Sequence, residues 1–73
     1  MSSVTEKVYR HEYGKLVAIL TKQFGLNFLE EIEDSVQWSM MQAIEHLSSG
    51  VHENNLPAWL YKVARNQLIS ELR

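Results

Sequence analysis

The side chains able to do bond-making chemistry are few and scattered. His11, His46 and His52 fall on separate stretches with no metal-ligand spacing between them. The chain has no cysteine, which removes thiolate nucleophiles, disulfides and every cysteine-based zinc or iron–sulfur centre. No metal and no cofactor is therefore expected. Glu30, Glu31, Glu33 and Asp34 form the densest group of titratable residues, but no cationic or aromatic pocket accompanies them to make an acid–base pair. At the start of a helix, carboxylates meet the positive end of the helix dipole, so this cluster reads as a solvated or protein-docking face. No glycine-rich loop is present to cradle phosphate. The inventory points away from an enzyme.

Binding chemistry is better represented. Trp38 and Met41 lie off the apolar stripe of their helix and beside Asp34 and Gln37, the make-up of a protein-binding patch with an aromatic anchor and a polar surround. The competing reading packs Trp38 against the first or third helix.

Three helices must position these groups. Tyr9, Tyr13, Leu16, Leu20 and Phe24, with Val17 beside them, recur at spacings of three and four, which predicts a helix from about Thr5 to Phe24. Ser3 with Glu6 offers a capping box, and Gly25 stands where a left-handed cap would end the helix. Gly14 weakens the interior by up to about 1 kcal/mol, which suggests a close helix contact there or no role at all. Asn27 with Glu30 makes a second capping box, and Ile32, Val36, Met40, Ala43 and Leu47 form the buried stripe of a helix from about Phe28 or Leu29 to Leu47, with Ile44 on its shoulder. Ser48-Ser49-Gly50 ends it. Asn54-Asn55-Leu56-Pro57 is a turn that places Pro57 in the first turn of a third helix, whose apolar face is Leu60, Val63 or Ala64, Leu68 and Leu72. An all-α, three-helix bundle follows, with the first two helices roughly antiparallel because their connection is short.

The 73 residues allow one small domain, and hydrophobic residues at 45% with charged residues at 22% match a globular chain. No apolar run approaches the roughly 20 residues of a membrane span, and the first residues lack the pattern of a signal peptide, so the cytoplasm is the expected compartment and no membrane insertion is expected. The net charge of −2 is unevenly spread. Residues 1–26 carry Lys7, Arg10, Lys15 and Lys22 against Glu6 and Glu12, a net +2. Residues 27–56 carry Glu30, Glu31, Glu33, Asp34, Glu45 and Glu53 and no Lys or Arg, a net −6. Residues 57–73 carry Lys62, Arg65 and Arg73 against Glu71, again +2. An acidic middle is a poor partner for phosphate, so any nucleic acid must meet the ends of the chain.

The run from Pro57 to Arg73, above all Ala58-Trp59-Leu60-Tyr61-Lys62-Val63-Ala64-Arg65-Asn66, closely resembles the last helix of region 2 in bacterial RNA polymerase sigma factors of the extracytoplasmic-function group. Glu33-Asp34-Ser35-Val36-Gln37 is similar to that family's Glu-Asp-x-Val-Gln motif, and the segment from Val8 to Val17 resembles its opening helix. Together these cover nearly the whole chain. The resemblance implies a non-enzymatic transcription initiation domain of three helices over residues 1–73. It also implies that a further stretch carrying region 4, which resembles a helix-turn-helix, lies downstream. Asp34 and Gln37 map to the positions that dock on the clamp helices of the largest subunit of core RNA polymerase, with Trp38 and Met41 as neighbours. The loop from Ser49 to Leu56 maps to the pocket that catches a base flipped out of the non-template strand of the promoter's minus 10 element. Trp59, Lys62, Arg65 and Asn66 map to the DNA-facing helix or its support. An anti-sigma factor is the implied regulatory partner.

The residues themselves agree in part. Lys62 and Arg65, one turn apart, can face one side of a helix, and Asn54 and Asn55 can present amides to a base edge. Trp59 has a packing role open to it as well, and Arg65 could pair with a carboxylate of a neighbouring helix. Two departures stand out: Trp38 occupies a place where the family usually carries an acid, and Gln67, Ser70 and Glu71 dilute the positive charge of the last helix. These features sustain an alternative, a sigma-like interaction domain or antagonist without DNA-melting activity. A generic helix-turn-helix protein fits less well, because base-reading donors are too sparse.

Overall fold

The computed structural model describes residues 3–48 and 55–73, and these form α1 (Ser3–Phe24), a short 3-10 turn (Leu26–Phe28), α2 (Leu29–Ser48) and α3 (Leu56–Leu72). The described residues contain no strand. The expected stripes supply the core: Leu16 and Leu20 from α1, Ile32, Val36, Met40 and Ala43 from α2, and Leu60, Ala64 and Leu68 from α3. Of the two candidates on α3, Ala64 rather than Val63 is the fully buried one. The side chains of Ser3, Glu6 and Leu47, and residues 49–54 with His52 and Asn54, lie outside the described residues.

Gly25 ends α1, donating its N–H to the Thr21 carbonyl at 2.8 Å. Its φ of 100° requires glycine, but ψ is 157°, so the expected left-handed cap is replaced by an extended conformation open essentially to glycine alone. The Asn27–Glu30 capping box is also corrected. The Phe28 N–H bonds to the Gly25 carbonyl at 3.2 Å and the Leu29 N–H to the Leu26 carbonyl, so the 3-10 turn runs straight into α2 and Asn27 sits inside it. Two of the N–H groups leading into α2, those of Phe28 and Leu29, thus have backbone partners. Tyr13 and Gln37, equally distant from Gly25 in sequence, meet through a hydrogen bond, as they must if the chain folds back at this turn.

α2 and α3 share the most extensive contact. His46 stacks on Trp59 and Ser35 bonds to Glu71, so the two helices run in opposite directions. Their approach is close because the flank of α2 that faces inward is small. Ser35 and Ser39 are completely buried and stand in line with Ala43 at four-residue spacing. Ser39 Oγ is satisfied by its own helix, donating to the Val36 carbonyl at 2.7 Å, and Ser35 Oγ donates to Glu71 Oε2 at 3.5 Å. The Tyr61 hydroxyl donates to Gln23 Oε1 at 2.9 Å and ties α3 to α1. One expected core residue departs: Leu72 is 36% exposed. It lies in the last turn of α3, one turn beyond Leu68, the last α3 residue of the core.

Candidate polymerase and nucleic-acid faces

With Ile32, Ser35, Val36, Ser39, Met40 and Ala43 turned inward, the opposite side of α2 must face solvent. Asp34, Gln37, Trp38 and Met41 all lie on it, at offsets of zero, three, four and seven that place them along one helical face. Trp38 is 41% exposed and Met41 61%, so the packed alternative for Trp38 does not hold. Ile44, assigned to the shoulder of the buried stripe, is 59% exposed and extends this face by a turn. Its spacing of three from Met41 was the available signal, and its aliphatic character concealed it. Glu30 and Glu45 flank the stripe, making an apolar strip with acidic ends.

α3 presents a different face. At about 100° per residue, Lys62, Arg65 and Asn66 fall within about 100° of arc, and all three are exposed. Among the described residues neither Lys62 nor Arg65 pairs with a carboxylate, so no described acid makes the pairing considered for Arg65. Arg73 comes round to within about 20° of Lys62 and is exposed as well, a third cation that the family motif alone did not single out. Glu71 lies about 180° from Lys62, where it accepts hydrogen bonds from Ser35 and, at 3.3 Å, from Gln67 Nε2. The carboxylate that dilutes the charge of this segment in the sequence is thus turned away from the cations in the fold.

The start of α3 gives two expected DNA-facing residues structural work. Asn55 is the N-cap of α3, its Oδ1 accepting from the Ala58 N–H at 3.2 Å; its side chain is exposed. Trp59 is half-buried against the core and stacks on His46, with ring centroids 5.0 Å apart and planes 19° from parallel. One face of the indole is therefore covered by α2. The stack brings the end of α2 beside the beginning of α3 and so fixes both ends of the segment between them.

Among the described residues, no three His, Cys, Asp or Glu side chains converge as a metal site would require, and no helix is long and apolar enough to cross a membrane. An all-α bundle whose polar groups are spread over two outward faces has the form of a binding module. The sigma-70 region 2 family model matches residues 8–73, and the chain belongs to that family, whose region 2 domains serve transcription initiation in contact with core RNA polymerase and promoter DNA. No significant match was found among curated proteins or among solved structures.

Proposed function

We propose that the exposed face of α2 docks on the clamp helices of the polymerase's largest subunit through Asp34, Gln37, Trp38 and Met41. We further propose that α3, with the segment before it, captures bases of the non-template strand in the minus 10 element. The observation that carries this reading is the separation of two faces of opposite character. α2 and α3 pack through their inward sides, so the acidic and apolar strip of α2 and the cationic side of α3 point away from each other. One small domain can then hold a protein on one side and DNA on the other.

Opening DNA costs a few kcal/mol for each unstacked base, which only contacts to the extruded strand can offset. Lys62, Arg65 and Arg73 supply charge for the strand's phosphates, while Asn54, Asn55 and Asn66 supply amides for base edges. Trp59 supports this surface through His46 and the core. An anti-sigma protein would have to cover one of the two faces.

The test is a titration of core polymerase alongside permanganate footprinting of the minus 10 region. Asp34→Ala and Gln37→Ala are expected to weaken polymerase binding with little change in Tm, since surface substitutions usually shift stability by about 0.5 kcal/mol or less. Combining Asn54→Ala with Asn55→Asp is expected to reduce promoter opening while polymerase affinity is retained. Normal opening by that folded variant would reject base capture, and wild-type affinity in an Asp34→Ala/Gln37→Ala double variant would reject the docking face.

A further inference from the structure

An exposed glutamine loses rotamer freedom when a partner fixes its carboxamide, and that loss weakens binding unless the side chain is ordered beforehand. Among the described residues of the α2 face, Gln37 is the one held by another helix: its Nε2 donates to the Tyr13 hydroxyl of α1 at 3.4 Å. Tyr13 is itself well fixed. Its ring packs against the core, and Tyr9, one turn earlier, lies nearly parallel to it, with centroids 6.3 Å apart and planes inclined by 13°. With its nitrogen engaged, Gln37 keeps Oε1 as an acceptor, and Asp34 lies one turn earlier on the same exposed face. Both groups then suit a partner rich in cationic or N–H donors.

Resting on the polymerase-docking reading above, we propose that Tyr13 is a positioning residue: its hydroxyl holds the Gln37 carboxamide in the orientation that core RNA polymerase meets, so that α1 contributes to docking without touching the partner. Tyr13→Phe removes the hydroxyl and keeps the ring and its stack, which makes it a clean probe. Titration of core RNA polymerase is expected to show Tyr13→Phe binding about three- to tenfold more weakly, the range for one hydrogen bond. No further weakening is expected when Tyr13→Phe is added to Gln37→Ala, because the two residues act as one unit. In the free protein, side-chain nitrogen relaxation of the Gln37 amide is expected to show greater mobility in Tyr13→Phe at unchanged Tm, a change that lost packing alone would not produce.

Wild-type affinity or an unaltered Gln37 amide in Tyr13→Phe, with Gln37→Ala still weakened, overturns the positioning role and leaves the docking reading standing. Equal weakening by Tyr13→Phe in both backgrounds also overturns it, since Tyr13 would then act independently of Gln37. Wild-type affinity in both single variants removes Gln37 from docking and overturns the inference, while wild-type affinity in Asp34→Ala/Gln37→Ala rejects the docking reading itself.

Discussion

Gly25 and Gly14 show how one residue type does opposite things at two places. An added Cβ would meet nothing within 4 Å at either position, so the effect of alanine is decided by the backbone alone. At Gly25, with φ of 100° and ψ of 157°, alanine forces a conformation essentially reserved for glycine and should cost about 1–3 kcal/mol. At Gly14, inside α1, the same substitution relieves glycine's entropic penalty and should stabilise by about 0.5–1 kcal/mol. Thermal melts of the two variants should therefore move in opposite directions. On the base-capture proposal, Asn55 carries two roles that a single alanine would confuse. Its Oδ1 caps α3, and removing the cap costs about 1 kcal/mol, whereas its amide N–H₂ is the group available to a base. Asn55→Asp keeps a capping oxygen and loses the donor, so Tm should hold while promoter opening falls; Asn55→Ala should lower both.

At the scale of the elements, the fit of α3 against α2 rests on the small flank of Ser35, Ser39 and Ala43. Ser39 bonds only back to its own helix, a contact that contributes little to helix stability. Ser39→Ala is thus expected to shift stability by no more than about 0.5 kcal/mol in either direction, while Ser39→Leu, by wedging the helices apart, should cost about 1–3 kcal/mol or more. Chemical denaturation of both variants measures this directly, and a mild effect from leucine would show that the interface can open without loss. The same helix pairing sorts the charge of α3: Glu71 is drawn toward Ser35 and Gln67, and among the residues of α3 no acid shares the side of Lys62, Arg65 and Arg73.

For the molecule as a whole, the acidic strip and the cationic face set how it can meet a polyanion. Single-strand binding loses affinity with salt by a log–log slope of about 0.7 for each phosphate neutralised. If Lys62, Arg65 and Arg73 meet the phosphates as proposed, the slope contributed by this domain should be about 2, small enough that isolated binding is weak and DNA is held mainly within the polymerase complex. Lys62→Ala and Arg65→Ala should each lower the slope by about 0.7 and weaken binding evenly across sequences. Salt titrations of the polymerase complex on single-stranded minus 10 DNA check this, and an unchanged slope in the double variant would place the phosphates elsewhere.

The three helices and most of their core were legible in the spacing of Leu16, Leu20, Ile32, Val36, Met40, Leu60 and Leu68, because a period near 3.6 residues fixes which side of a helix can be apolar. The resemblance to the family likewise nominated Asp34, Gln37, Lys62 and Arg65 as candidates, and the fold adds that all four are exposed. What periodicity cannot specify is how closely and how far along their length the helices meet. That tertiary arrangement leaves Leu72 and Ile44 exposed although both are aliphatic, and buries Ser35 and Ser39 although both are polar. It also makes Asn55 a cap, sets Trp59 against His46, turns Glu71 from the cationic face and brings Tyr13 to Gln37. Each of these depends on what stands across from a residue, and a partner distant in the chain becomes a neighbour only when the helices pack.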